Sequence, residues 1–315
     1  MPRRSRVDVQ SDGRAGGPFR PRLFAVLSFV TIGASPTLAD VTSRDLTDTT
    51  PDAALPRGSD AQSAELLSAF FGLDNALPFL STLICRGAPG KDGMPVIFST
   101  EIDHNTMQAG DFQVTTASGA TGRMHCVTLL PATDAGELRT VLLVGEFGNA
   151  ETDPPVQVEI IGHLRSIDGT LDFRGAQFDV TPLADGPSLV MAEVADPKAQ
   201  DLGLGLRRTR GCPCPTADIK QAVRVVWAGG VTMANGDEPG YGERDLYRVT
   251  VRAADGTERD ITPVALADLG DGDNNHLLCL DTADTPVSVS FPGGVLTDPN
   301  DDLNPATSVA VRPNR

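Results

Sequence analysis

The sequence predicts an all-β chain made of two antiparallel β-sandwich-like domains, the first preceded by a short helix. The main sign is apolar residues alternating with polar ones at a period of two. Phe112 and Val114 alternate with Gln113 and Thr115; Val156, Val158 and Ile160 with Gln157 and Glu159; Tyr247, Val249 and Val251 with Arg248, Thr250 and Arg252. Each run is short and bounded by Gly, Pro, Asn or Asp, and no helical period separates them. Further strands are expected at 96–99, 126–130, 139–144, 188–194, 223–227, 277–280 and 287–291. About ten short strands at this spacing build antiparallel sheets rather than βαβ units.

From the N-terminus, Arg20 and Arg22 precede the apolar run LFAVLSFVTIGA, which leads through ASPTLA to Asp40. This order is that of a secretory signal peptide cleaved after Ala39, and the run is too short for a membrane span, which needs roughly twenty apolar residues. Residues 40–58 are polar and proline-punctuated and read as a disordered linker. Ser59 and Gln62 form a capping box for a helix whose stripe is Leu66, Leu67, Phe70 and Phe71 and whose stop is Gly72. The first domain then spans 59–195. A linker is expected at 196–211, where glycine and charge replace the strand pattern, and a second β domain with acidic loops at 212–315. Asp255-Gly256 between two alternating runs reads as a hairpin turn.

Charge narrows the partners. Cleavage after Ala39 lowers Lys+Arg from 26 to 20 and Asp+Glu from 42 to 40, leaving a net charge of −20. Such a surface repels phosphate backbones and anionic lipid, which excludes nucleic acid and leaves a protein or small-molecule ligand. No second segment has the length and apolarity of a membrane span. The five cysteines, Cys85, Cys126, Cys212, Cys214 and Cys279, pair in an oxidising compartment with one left over. The expected bridges are Cys85–Cys126 in the first domain and Cys279 with either Cys212 or Cys214 in the second. A Cys212–Cys214 ring is geometrically disfavoured.

The stretch MPVIFSTEIDHNTMQAGDFQVTTASG, residues 94–119, resembles the opening of bacterial immunoglobulin-like repeats of the S-layer type. Phe98, Ser99, Ile102, Asp103, Thr106, Met107, Phe112 and Val114 stand at the pattern's positions, and VEIIGHLRSIDGTLDFRG is similar to its closing strand, acidic loop and glycine. The resemblance covers residues 90–175. It implies an immunoglobulin-like sandwich acting as a spacer or adhesion module, with no catalytic residues to carry over.

Chemistry-bearing residues concentrate in DLGDGDNNHLLCLD, residues 268–281. Asp271, Asp273 and Asn275 occupy positions one, three and five of an acidic loop, a spacing that can converge oxygens on Ca²⁺, and Asp298, Asn300 and Asp302 repeat it. An EF-hand is excluded, because the positions for its glycine and bidentate glutamate hold His276 and Thr282, or Leu303 and Val309. The two readings are an irregular calcium site and plain turns whose side chains bond the local backbone. His276 opens a strand in which Leu278 and Leu280 share its face and Leu277 and Cys279 take the other. Its readings are a general acid or base raised by nearby carboxylates, or a hydrogen-bonded structural histidine. Soft copper ligands stand at Met124, His125 and Cys126, which need a strand bulge to close on one ion, and in the Cys-Pro-Cys of Cys212 and Cys214. No catalytic glycine elbow, metalloprotease helix, phosphate loop or dinucleotide fingerprint is present. Trp227 reads as core.

The functional expectation is an exported, non-catalytic binding or structural β-domain protein, with calcium as a candidate stabiliser. The alternative is a secreted hydrolase or lyase using His276 with Asp271, Asp273 or Asp298. A third reading is a redox or copper protein centred on Cys212 and Cys214.

Overall fold

A computed structural model describes residues 64–197, 211–215 and 218–313. The signal peptide, the 40–58 linker and the Ser59–Gln62 cap lie outside the described residues. The first half contributes β1 (Leu66–Ala69), β2 (Asp92–Phe98), β3 (Phe112–Thr116), β4 (Arg123–Thr128), β5 (Thr140–Glu146), β6 (Pro155–Ile160) and β7 (Gln177–Asp179). Strands β1-β2-β5-β4 form one antiparallel sheet and β3-β6-β7 another. Inward residues of both, among them Val96, Phe98, Leu143, Val114 and Val158, fill a single core, where Phe98 and Phe173 meet edge to face at 4.9 Å.

The second half contributes β8 (Leu189–Ala195), β9 (Gln221–Trp227), β10 (Thr232–Met233), β11 (Arg248–Arg252), β12 (Glu258–Ile261), β13 (Ala265–Ala267), β14 (Asn275–Leu280), β15 (Thr285–Phe291), β16 (Leu296–Thr297) and β17 (Thr307–Arg312). Eight of them make one sheet in the order β12-β11-β15-β17-β8-β9-β14-β13, and β10 pairs with β16. The sheet curls onto itself: Val249 of β11, Val289 of β15, Val225 of β9 and Leu278 of β14 share one core, and Trp227 meets the Phe291 ring at 5.3 Å. Its two antiparallel wings are joined at one parallel seam, where Val311 and Arg312 of β17 pair with Ala192 and Glu193 of β8.

The all-β class and the alternating runs match the expected strands. Asp255-Gly256 turns the β11–β12 hairpin, with the Ala253 N–H donating to the Thr257 carbonyl at 2.9 Å and Gly256 at φ +87°. The expected helix over residues 59–72 is corrected: Leu66–Ala69 is strand β1, paired with β2. Its apolar run is buried on both sides. Leu66, Ala69 and nearby Phe71 enter the first core, while Leu67 packs on Ile97, Met191 and Val226. A continuous short apolar run suits a doubly covered strand as well as a helical stripe, and packing decides between them. The only α-helix among the described residues is the four-residue Tyr241–Arg244.

Strand β8, which the sequence places in the first half, hydrogen-bonds to β9 and β17. The composition change at 196–211 therefore falls between two adjacent strands of one sheet. All described residues belong to one compact unit. The expected Cys85–Cys126 bridge is present, and the open choice resolves as Cys214–Cys279, leaving exposed Cys212 in neither bridge. The Cys214–Cys279 bridge spans 65 residues and ties the segment before β9 to β14. Replacing both cysteines by serine is expected to lower unfolding free energy by about 3–4 kcal/mol, through the loop-closure entropy restored to the unfolded chain. Urea unfolding reads this directly; a loss under about 1 kcal/mol contradicts a closed bridge of this span.

Candidate functional site

The densest group of buried charge lies where the two halves meet. Arg224 sits mid-strand in β9 with 2% of its side chain exposed. The β4–β5 connection of the first half reaches it: Arg224 Nη1 donates to the Ala135 carbonyl at 2.5 Å, and its Nη2 lies 4.0 Å from Glu137 Oε1. From the second half Asp268 Oδ2 stands 3.8 Å from the same Nη2. Gly136, at φ +89°, passes so close that a Cβ there would come within 1.6 Å of Arg224 Nη1, so any side chain would have to displace the guanidinium, and from a backbone conformation that L residues rarely adopt. The connection is held by Glu137, which accepts from the Asp134 amide at 2.8 Å, and by Glu101, which accepts from the Gly136 amide at 2.6 Å. Neighbouring Arg139 is engaged elsewhere, donating to Glu193 Oε1 and Met191 Sδ, each at 2.8 Å.

Beside Arg224, one oxygen each from Asp134, Asp268 and Asp271 lies within 4.8 Å of the others. Asp134 Oδ2 accepts from the Gly211 amide at 2.9 Å. Asp268 is 1% exposed, adopts φ +63°, and receives no hydrogen bond at either carboxylate oxygen; Asp271 Oδ2 is likewise buried and unbonded. Burial, then the Asp268 charge, raises the Asp271 carboxyl to about 7. Burial, then Asp271, holds Asp273 well above the usual carboxylate range, and burial, then Asp273 and Asp268, does the same to Glu137. Three converging carboxylates can take a hard cation, or they can share protons.

The residues singled out by spacing separate into different roles. Asp273 Oδ1 accepts from the Asn275 amide at 2.7 Å, a local turn, and Asp271 alone of that triplet joins the converging group. Glu238 fixes the same loop by accepting from the amides of Gly270 and Gly272 at 2.6 and 3.0 Å. In the other run, Asp298 Oδ1 accepts from the Asn300 and Asp302 amides at 2.9 and 3.0 Å, and Asn300 Nδ2 donates to the Gly72 carbonyl at 2.7 Å. That run turns a corner and pins it to the first half. Asp268 opens the stretch the sequence singled out but stood outside its proposed ligands, and Asp134 escaped the sequence reading; Asp134 and Glu137 in one loop were the available signal, without any indication of what they face.

His276 is 3% exposed, on the face of Leu278 and Leu280 as its alternation implies. Its Nδ1 lies 2.7 Å from the Tyr247 hydroxyl, which accepts from Trp227 Nε1 at 3.0 Å. The hydroxyl therefore donates to Nδ1, which fixes the neutral ring with its proton on Nε2. Burial lowers the imidazole to about 4, opposite to the rise expected beside carboxylates. His125 does sit at a bulge of β4, but its Nε2 bonds the Arg86 carbonyl at 2.8 Å and Cys126 is consumed in a disulfide, so Cys126 has no thiolate to offer copper. His163 Nδ1 pairs with Asp172 at 2.8 Å.

No protein-family model and no curated protein matches the chain. Among solved structures it is similar to the surface layer protein SbsC, domains 1-6, with TM-score 0.26 and 11% identity over 81% of this chain and 41% of that one. The chain thus spans less than half the length of that structure, and a likeness at this level does not establish a shared fold.

Substituting Arg224 by Met is expected to cost about 3–5 kcal/mol, since Glu137 and Asp268 lose their buried counter-charge. A drop in unfolding free energy below about 1 kcal/mol rules out a structural role for the guanidinium. For His276, the unfolded chain takes up a proton near 6.5 and the fold only near 4. Its contribution is thus complete above pH 6.5 and is lost as pH falls to 4, about 3 kcal/mol in all. The stability difference between wild type and His276→Gln should shrink across that window; a flat difference means the ring titrates normally.

Proposed function

We propose that the chain is an exported, non-catalytic β-domain protein with a structural or ligand-binding role and an immunoglobulin-like first half. The observation that carries this reading is the pairing of Cys85 with Cys126 and Cys214 with Cys279, one bridge in each half, a state that persists in oxidising compartments. It agrees with the secretory order of the N-terminal residues. The side chains with the most chemical potential also serve the fold. His276 and Trp227 are tied through the Tyr247 hydroxyl in the second core, and the Asp298 run bonds its own backbone. Among the described residues no helix is long and apolar enough to cross a membrane. A cavity of about 250 Å³ lined by Phe70, Leu77, Leu129, Pro131 and Gly229 opens where the halves meet and is the apolar place for a small ligand.

Expressed with its leader, the protein should appear outside the cytoplasm with Asp40 as its first residue and both bridges intact in non-reducing peptide mapping. Recovery from the cytoplasm with an uncleaved leader and reduced cysteines sinks the export reading. A hydrolase or lyase activity that disappears in folded His276→Gln replaces the non-catalytic reading with an enzymatic one.

A further inference from the structure

We propose that Asp134, Asp268 and Asp271 form a divalent-cation site, best matched to Ca²⁺, that joins a loop of the first half to a loop of the second. The proposal is independent of whether the protein is catalytic. Its basis is more than a collection of acids. Asp268 is 1% exposed, and neither of its oxygens receives a hydrogen bond. Arg224 does not meet that need, because it approaches only Oδ2 and only to 3.8 Å, beyond hydrogen-bonding reach. Oδ1 lies against Gly211. A Cβ built on Gly211 would fall 2.4 Å from Asp268 Oδ1 and 2.8 Å from Asp271 Oδ2, so the two unbonded oxygens converge on the backbone that the Gly211 position keeps bare. Asp134 closes the group, its Oδ2 already oriented by the Gly211 amide.

Oxygen donors alone select a hard cation over Zn²⁺ or copper. Ligands drawn from separate loops rather than one rigid octahedral cage favour Ca²⁺ over Mg²⁺, which dehydrates reluctantly and demands regular geometry. The local charge agrees: among the described residues, Glu137 and Asp268 face the Arg224 guanidinium with Asp271 and Asp273 close by, and Arg139 is committed to Glu193. A cation held by the three carboxylates offsets that charge. The competing way to offset it is protonation, which the experiment separates.

The test is calorimetric titration of CaCl₂ into the full chain, stripped with EDTA and dialysed at about pH 8, with thermal melts alongside. One Ca²⁺ per chain is expected, with a dissociation constant on the order of 10⁻⁴ M, as for extracellular modules, and a melting temperature that climbs with Ca²⁺ concentration. Asp268→Asn should weaken binding by at least tenfold, and Asp298→Asn should bind as the wild type does. If Asp268→Asn does not fold, the partly exposed Asp271→Asn carries the same expectation. Neither heat nor a melting shift up to ~10 mM Ca²⁺ overturns the proposal and leaves the carboxylates holding protons. Binding that survives Asp268→Asn or Asp271→Asn but vanishes in Asp298→Asn overturns it as well.

Discussion

A guanidinium in the middle of a buried strand dictates what must lie around it. Arg224 cannot be enclosed alone, since an unpaired charge in a low-dielectric interior costs many kilocalories. Two loops from distant parts of the chain answer that demand. The β4–β5 connection brings the Ala135 carbonyl and Glu137, and the β13–β14 connection brings Asp268. Gly136 follows from the first approach, because only a bare Cα clears Arg224 Nη1. Asp268 at φ +63° follows from the second, in a conformation that Asp tolerates better than most residues. The apolar contact of Ile97, Met191 and Val226 across the junction is non-directional. A planar guanidinium has fixed bonding directions and so adds orientation to it.

The arrangement overcompensates. Among the described residues, Glu137, Asp268, Asp271 and Asp273 crowd beside the Arg224 guanidinium, and burial with mutual repulsion raises the Asp271, Asp273 and Glu137 carboxyls toward their protonated forms. The backbone absorbs part of the excess: amides at Asp134 and Asn275 donate to Glu137 and Asp273. Asp268 lacks such help, and this distinguishes it from every other acid in the group.

Strands with one exposed face were legible, because alternation at 112–116, 155–160 and 248–252 is a local property of the chain. The hairpin at Asp255-Gly256 and the Cys85–Cys126 bridge were legible for similar reasons, turn chemistry and cysteine arithmetic. Strand β1 was not: Leu66 and Ala69 enter one core and Leu67 another, and a run apolar on both faces has no diagnostic period. The seam strand β17 was missed because TSVAVR carries little apolar weight, and its role comes from pairing parallel with β8 on one side and antiparallel with β15 on the other. Of the site, Asp271 was visible, Asp268 lay in the flagged stretch without being assigned a role, and Asp134 was not visible. Asp134 lies in the other half of the chain, and nothing local shows that Gly211 and Arg224 will face it.

The two acidic runs make the same point from composition. DGDNN and DPNDD offer nearly the same donors at nearly the same spacing. In the second, Asp298 is buried as well, but its oxygens find the Asn300 and Asp302 amides, so the loop is complete in itself and Asn300 ties Gly72. In the first, Asp273 closes the local turn with Asn275, while Glu238 takes the amides of Gly270 and Gly272. Two backbone donors that neighbouring aspartates could have used are thereby removed, and Asp268 and Asp271 turn instead toward Gly211 and Asp134. What separates a corner from a charged cluster is thus which acid takes the amides first, and that is settled by a glutamate some thirty residues upstream.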